Sequence, residues 1–165
     1  MTRPDGPNET RTAAEDHSSE RAGADKVIVH ASCVAVGERG VLIRGRSGSG
    51  KSSLALDLMA LGAVLVSDDR VLVSRGRQGL IAGAPTPIRG LIEARGVGLL
   101  RADTRAEVKI SLMVDLDRAE TARLPEIHRT ELLGQSVVLI YRPDNPHFPA
   151  AILQYLKAGR LGEDV

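Results

Sequence analysis

The segment Gly45-Arg46-Ser47-Gly48-Ser49-Gly50-Lys51-Ser52 has the residue types and spacing of a loop that binds the phosphates of a nucleotide. Glycines let backbone N–H groups converge on phosphate oxygens, and the N-terminus of a following helix adds its dipole. In such a loop Lys51 reaches the β- and γ-phosphates, and the Ser52 hydroxyl is a ligand of Mg²⁺. A flexible Gly/Ser turn can match the pattern by chance, but the chain has only four lysines and one stands where the loop requires it. We therefore predict that this run and the adjacent Ser53 bind a nucleotide.

Two carboxylates, Asp68 and Asp69, supply the acidic partner that such a loop requires for its metal ion. They follow the hydrophobic run 63–66, which is typical of a strand. One carboxylate of such a pair can hold metal or water, while the other accepts a proton from an attacking hydroxyl. The alternative is a charged turn in which Asp caps the strand end and Arg70 forms an ion pair.

A third cluster, Glu93 and Arg95, stands in the glycine-rich run 91–100. Two residues apart on an extended segment, their side chains point the same way and present a carboxylate and a guanidinium to one site. The alternative is an ion pair on a surface loop. His30 and Arg105 carry little weight by themselves, because a lone histidine at a strand end is usually structural.

The elements around the loop fit phosphate binding. A buried strand at 41–43 enters it, and Leu54, Leu58 and Leu61 fall on one face of the helix that follows. Gly62 is placed to end that helix. A strand before the loop and an amphipathic helix after it are the context that the motif requires.

The remaining hydrophobic runs complete a strand-rich pattern. Val108, Ile110, Leu112 and Val114 alternate, which predicts a strand with one buried face. Other strands are expected at 27–29, 34–36, 63–66, 71–73 and 137–140, and a second helix at 150–157. Because strands outnumber helices, we predict an α/β fold with a mixed, strand-rich sheet.

Composition indicates one domain and excludes several classes of partner. The chain has 165 residues, enough for one core. Residues 1–25 lack Val, Ile, Leu and aromatic residues and are expected to form a disordered tail before a domain at 26–165. Without the three basic and six acidic residues of that tail, 19 basic residues stand against 15 acidic ones, which mildly favours a phosphate ligand.

An aromatic content of 2% argues against base stacking and hence against nucleic acid. One cysteine, no signal peptide and no membrane span predict a cytoplasmic protein.

Taken together, these motifs resemble the catalytic domain of bacterial HPr kinase/phosphorylase. The resemblance covers about residues 27–157 and depends on the order of a histidine-bearing strand, the loop, Asp68-Asp69-Arg70-Val71 and Ile92-Glu93-Ala94-Arg95-Gly96-Val97-Gly98. The last run is similar to the family signature, with Ile92 and Ala94 as departures. The resemblance implies a fold like the nucleotide-binding core of phosphoenolpyruvate carboxykinase, and a short form without the N-terminal domain of longer members.

The resemblance also implies roles for individual residues. His30 corresponds to the family's catalytic histidine and Lys51 to its loop lysine. Asp69 is the expected proton acceptor, supported by Asp68. The expected metal ligands are Ser52, Asp68 and Glu93. A catalytic arginine before the Ile110-Ser111-Leu112 strand is placed at Arg105 by counting back.

The implied reaction is transfer of the ATP γ-phosphoryl group to a serine of HPr with Mg²⁺, and in reverse a phosphate-dependent phosphorylase that releases pyrophosphate. The family is hexameric, so a homo-oligomer is expected; a membrane or nucleic-acid partner is not. Two alternatives use the same loop. One is a small-molecule kinase with Arg75 and Arg77 in a lid, and the other is a non-catalytic module that senses ATP.

Overall fold

The structure, a computed structural model, describes residues 20–21 and 25–163. Within this part of the chain strands outnumber helices, and the mixed, strand-rich α/β fold predicted from the sequence is confirmed. The strands are β1 (Glu20–Arg21), β2 (Lys26–Val29), β3 (Ala31–Val36), β4 (Arg39–Arg44), β5 (Val64–Ser67), β6 (Val71–Gly76), β7 (Gly79–Gly83), β8 (Leu91–Ala94), β9 (Gly98–Arg101), β10 (Glu107–Glu120), β11 (His128–Leu132) and β12 (Gln135–Pro143). The helices are α1 (Lys51–Ala60) and α2 (Phe148–Ala158), with a 3-10 turn at Thr86–Ile88.

The expected tail, residues 1–25, lies mostly outside the described residues. The two residues of β1 are described, and they pair antiparallel with β2. The domain boundary at residue 26 stays a prediction.

One large sheet has the order β1-β2-β6-β7-β10-β4-β3-β5 across the described strands. The long strand β10 pairs with β4 along one edge, and along its other edge it pairs first with β7 and then with β12. β4, β10 and β12 run parallel, whereas β3 runs antiparallel between β4 and β5. The carboxyl ends of β4, β5, β10 and β12 therefore open toward the same edge of the sheet.

The two faces of the sheet cover separate hydrophobic clusters. Along β3 and β4 the side chains alternate, so that Val34 and Ile43 face the helices α1 and α2 while Cys33 and Leu42 face the other cluster. On the second side the strands β6 and β7 contribute Val71 and Leu80 to a cluster with residues of β3 and β4, and none of the described helical residues belongs to it. This burial raises the pKa of the Cys33 thiol to about 12.

Two expectations about the core were wrong. The alternating residues of β10 do not share one face, because a register shift between Ile110 and Leu112 reverses the alternation. Ile110 consequently packs in the strand-covered cluster, and Leu112 packs under the helices. Leu61 is 47% exposed rather than buried, because α1 ends at Ala60 and Leu61 belongs to the turn.

None of the helices in the described residues is both long and apolar enough to cross a membrane.

Candidate active site

Strand direction brings the predicted site residues to one edge of the sheet. In the register of β3 with its neighbours, Ala31 lies opposite Arg44 and Cys33 lies opposite Ser67. Three parts of the predicted site therefore meet at that edge. They are His30, which precedes β3, residues 45–52, which follow β4, and the Asp68–Asp69 pair, which follows β5.

The loop between β4 and α1 is compact and internally bonded. The Lys51 side chain is only 7% exposed, and its Nζ donates to the carbonyl oxygens of Gly45 at 2.8 Å and Arg46 at 3.0 Å. Gly50, with φ of 100°, turns the chain into α1 in a conformation that favours glycine. The first-turn N–H groups of α1 have no partners within the helix and point toward the loop.

Two connections attach this loop to β10 and β12, and a third holds the end of β4 beside β10. The backbone N–H of Arg46 donates to both carboxylate oxygens of Asp117, at 2.9 and 3.1 Å. Arg142 Nη2 donates to the carbonyl oxygen of Ser49 at 2.8 Å. Arg44 pairs with Asp115 at 3.3 Å. These contacts hold the loop and the end of β4 against β10 and β12.

Asp68 is the buried acceptor on which the site is assembled. Its Oδ1 accepts from Ser32 Oγ at 2.6 Å and from Ser52 Oγ at 2.7 Å, and its Oδ2 accepts from the backbone N–H of Glu93 at 3.1 Å. The side chain is 5% exposed. One carboxylate thus links β3, α1 and β8, which is a structural role in addition to the one expected from the sequence.

Asp69 points in a different direction from its neighbour. Its φ of 69° is a left-handed conformation that few residues other than glycine adopt. The carboxylate is 69% exposed, and its Oδ1 lies 2.9 Å from Nε2 of His30, which is itself 49% exposed. Backbone strain of this kind is concentrated at functional sites. The pair forms the open mouth of the site.

A single pocket gathers most of the predicted residues. Its lining consists of His30, Ser47, Gly48, Gly50, Lys51, Ser52, Ser53, Asp69, Glu93 and Arg95. Asp68 lies directly behind it, bonded to Ser52. The other predicted loop residues, Gly45, Arg46 and Ser49, form the wall of the loop that faces β10 and β12.

Contrary to the prediction from the sequence, the structure does not bring Arg105 to this pocket. Its guanidinium donates to the carbonyl oxygens of Gly37 and Glu107 and pairs with Glu38 at 2.8 Å. Gly37 and Glu38 form the turn before β4, whereas the pocket lies beyond the end of that strand. Six residues of extended strand separate the two positions, about 20 Å. The physical reason is that β10 runs parallel to β4, so a residue that precedes β10 lies at the opposite edge.

Sequence reasoning missed three residues that hold the site. Ser32 carries the shortest bond to Asp68, and Asp117 and Arg142 hold the loop. Nothing in the local sequence around Ser32 distinguishes it. Asp117 had a usable signal, because it lies at the carboxyl end of a predicted strand, where a parallel neighbour of β4 would meet the loop. Arg95, considered only as part of a pair with Glu93, lines the pocket.

The oxygen donors at the site suit Mg²⁺. A hydroxyl and a carboxylate, Ser52 and Asp68, are already adjacent, and Glu93 lines the same pocket. Mg²⁺ takes one or two carboxylates and keeps several waters, so it does not require a dense cluster of ligands. Accordingly, the described residues contain no group of three or more His, Cys, Asp or Glu side chains arranged as a metal cage.

Comparison with known proteins connects the chain to one group. The family described as HPr Serine kinase C-terminal domain matches residues 21–138. An HPr kinase/phosphorylase from Exiguobacterium sp. is 34% identical over 143 residues, which are 79% of this chain and 46% of that protein. Another, from Bordetella pertussis, is 42% identical over 104 residues, which are 58% of this chain and 34% of that protein. The chain therefore spans less than half the length of these relatives.

A solved structure shows the same fold. The HPr(Ser) kinase/phosphatase from Coxiella burnetii superposes with a TM-score of 0.68 at 24% identity, over 81% of this chain and 90% of that one. The arrangement of strands and helices described above is thus shared with a solved structure.

Proposed function

The chain belongs to the family of the HPr serine kinase C-terminal domain, and from this premise we propose that it is an ATP-dependent kinase that phosphorylates a serine of the phosphocarrier protein HPr. The observation that carries the proposal is the pocket in which Lys51, Ser52, Asp69 and Glu93 converge. Phosphoryl transfer requires positioning and charge neutralisation more than covalent chemistry, and these groups supply both. Because the reaction consumes ATP, we place it in the cytoplasm.

We assign residues 45–53 to the phosphates of ATP. The N–H groups at the start of α1 supply donors for phosphate oxygens, and the helix dipole favours negative charge there. The Lys51 ammonium, held by two loop carbonyl oxygens, lies at the base of the pocket, where a γ-phosphate oxygen would replace one of them. With 2% aromatic residues in the chain, the affinity for ATP would come mainly from the phosphates. The likeness to the carboxykinase nucleotide-binding core stays a prediction.

Ser52, Asp68 and Glu93 are the residues that would hold Mg²⁺. When bound, the ion neutralises charge on the phosphate oxygens. Asp68 would keep its bonds from Ser32 and Glu93 N–H, because a carboxylate has enough lone pairs to serve several partners. The ligand geometry would thus be fixed by the folded core rather than by a mobile loop.

Asp69 is the residue that would accept the proton of the serine hydroxyl. The hydrogen bond from His30 engages Oδ1 of Asp69, which leaves Oδ2 free to accept the proton of the serine hydroxyl. The left-handed backbone at Asp69 aims its carboxylate away from Asp68, so two adjacent aspartates serve two different tasks. In the phosphorylase direction, inorganic phosphate attacks phosphoserine, pyrophosphate is released, and Asp69 returns the proton to the serine oxygen.

The exposure of this mouth favours a protein acceptor over a small metabolite. Small-molecule sites bury most of their ligand. Here the proton acceptor and its histidine partner are 69% and 49% exposed, so a folded protein could present a serine without a lid having to open. The homo-oligomer, hexameric in the family, remains a prediction that sedimentation analysis would test.

The test is transfer of phosphate in both directions. The chain is incubated with Mg·ATP and HPr, and serine phosphate is measured by mass spectrometry; phospho-HPr is then incubated with inorganic phosphate, and pyrophosphate is measured. Asp69→Asn is expected to lower kcat at least about 100-fold, because general-base catalysis contributes that much. Asp103→Asn, an exposed aspartate that does not line the pocket, is the matched control. Absence of transfer to HPr by the unaltered chain, or full activity of Asp69→Asn, would refute the proposal.

A further inference from the structure

An exposed apolar surface stands at the rim of the proposed catalytic pocket. It belongs to the β8–β9 hairpin, a separate two-stranded sheet beside α1. Val97 in its turn is 76% exposed and Leu99 in β9 is 66% exposed. Large aliphatic side chains this accessible are costly to keep in water when they stand side by side, and they mark interaction sites.

The register of the hairpin shows which way these side chains face. Glu93 of β8 lies directly opposite Leu99 of β9, so the two side chains stand on the same face. Ile92 points to the other face, where it is 1% exposed and packs in the core against α1. The hairpin is thus anchored by its inner face, and its outer face carries both a residue of the pocket and an exposed leucine.

The turn of the hairpin continues this surface. Arg95 lines the pocket, and Val97 follows it two residues later. The exposed side chains of Val97 and Leu99 therefore belong to the same hairpin as the pocket residues Glu93 and Arg95, and Leu99 stands beside Glu93. ATP phosphates and Mg²⁺ are bound by polar groups and gain nothing from aliphatic neighbours, so these two aliphatic side chains are not needed to bind them.

We propose that the outer face of the β8–β9 hairpin binds the segment of the protein substrate that surrounds its acceptor serine, through aliphatic side chains next to that serine. This inference rests on the proposed kinase function and names the part of the substrate that the site recognises. Arg95 and Arg101 place two cations on the hairpin against one carboxylate, Glu93, so the matching segment combines aliphatic residues with acidic ones. Arginine is among the residues that are enriched at binding interfaces and in their hot spots.

The position of the hairpin explains why recognition belongs there. A serine that reaches Asp69 must pass the pocket mouth, and the hairpin forms one wall of that mouth. Contacts made by residues adjacent to the serine would hold its hydroxyl near the carboxylate, which is the positioning that phosphoryl transfer requires. Apolar contacts at this rim therefore act on binding of the protein substrate and leave ATP binding unaffected.

The experiment compares the double variant Val97→Ser/Leu99→Ser with the unaltered chain in steady-state transfer to HPr. We expect KM for HPr to rise about tenfold or more, since the variant lacks two aliphatic side chains that would be buried against the substrate in the complex. KM for ATP and the unfolding temperature are expected to stay unchanged, because both side chains are exposed in the free protein. Leu161→Ser is the matched control: this leucine is 99% exposed and follows Gly159, which approaches Arg39 at the opposite edge of the sheet.

The outcomes separate this inference from the kinase proposal. If the unaltered chain phosphorylates HPr but the double variant has the same KM for HPr, the hairpin inference is wrong and the kinase proposal stands. If the double variant instead changes the mass of the assembly in solution without changing KM for HPr, the surface joins copies of the chain and the inference is again wrong. If the unaltered chain transfers no phosphate to HPr, both the kinase proposal and the hairpin inference are wrong.

Discussion

Substituting Gly45 by alanine tests whether the shape of the loop, rather than its flexibility, determines nucleotide affinity. A methyl group at this position would lie 2.5 Å from Ser49 Oγ, 3.0 Å from Ser49 Cβ and 3.3 Å from Leu116 Cβ. Carbon contacts are comfortable at about 3.5–4.0 Å, so Ser49 must retreat by about 1 Å. Retreat toward β12 is opposed by Arg142, whose guanidinium holds the Ser49 carbonyl oxygen.

The expected magnitude follows from that displacement. Overpacking of this kind costs about 1–3 kcal/mol of folding free energy. A shift of about 1 Å also moves the N–H groups of the loop out of alignment with phosphate oxygens, and misplacement on this scale costs up to about 100-fold. We therefore expect the Kd for ATP to rise by about 10- to 100-fold, which corresponds to about 1.4–2.7 kcal/mol. No hydrogen bond is lost, because Ser49 Oγ is buried without a partner in the described residues.

Calorimetric titration with Mg·ATP and urea denaturation measure the two effects separately. Gly37→Ala is the control for stability alone. A methyl group at Gly37 meets open space, but the φ of 57° is left-handed, so the free energy of unfolding is expected to fall by about 1 kcal/mol. The ATP affinity should stay unchanged, because Gly37 lies at the other end of β4. The double variant Gly45→Ala/Ser49→Ala removes the closest atom and should recover part of the affinity. Wild-type affinity in Gly45→Ala, or no recovery in the double variant, would refute the reasoning.

Four further substitutions or measurements test other parts of the structure. Arg105→Ala is expected to change kcat and KM for ATP less than about twofold, as its distance from the pocket implies; a loss above tenfold would show that it reaches the site. Asp68→Ala leaves three donors without an acceptor and should cost about 2–4 kcal/mol in urea denaturation, with a loss below 1 kcal/mol contradicting this role. Asp69→Gly relieves a left-handed backbone and should unfold no earlier than the unaltered chain while transfer is lost; a clear drop in unfolding temperature would argue against strain there. Burial raises the pKa of Cys33 to about 12, so the thiolate is disfavoured, and at pH 8 the native thiol should react with a disulfide reagent at least about 100-fold more slowly than in urea; equal rates would contradict its burial.

The sequence was sufficient to predict the centre of the site, because its residues occur in short motifs tied to strand ends. The loop lies between a buried strand and a helix, and Asp68 follows the next strand parallel to β4, so a strand–helix–strand unit brings them to one edge. Glu93 and Arg95 were predicted to face one site on an extended segment, and both line the pocket. Local pattern was enough in each case because the distance along the chain is short and the connecting element is regular.

Features that depend on pairing at a distance could not be derived in this way. The bulge after Ile110 leaves no mark in the alternating sequence, because Leu112 is as hydrophobic as a residue on the predicted face would be. The hydroxyl of Ser32 meets Asp68 only because β3 lies between β4 and β5, which is a property of strand order. In both cases the deciding contact lies between residues far apart in the chain.

The position of Arg105 shows why strand direction must be established before a residue is assigned to a site by counting. Counting back from a strand places a residue at the start of that strand, and the start of β10 lies at the edge where β4 also starts. The loop, however, follows the end of β4. In a parallel pair these two edges are separated by the whole strand, so a residue before β10 and a residue after β4 are far apart however short the intervening sequence. From the carboxyl-terminal half of β10, Asp117 does reach the loop, and Asp115 pairs with Arg44 at the end of β4. The same rule brings Arg142, at the end of β12, into contact with the loop, and it is the arginine we would substitute first in a search for a positive charge that supports phosphate binding.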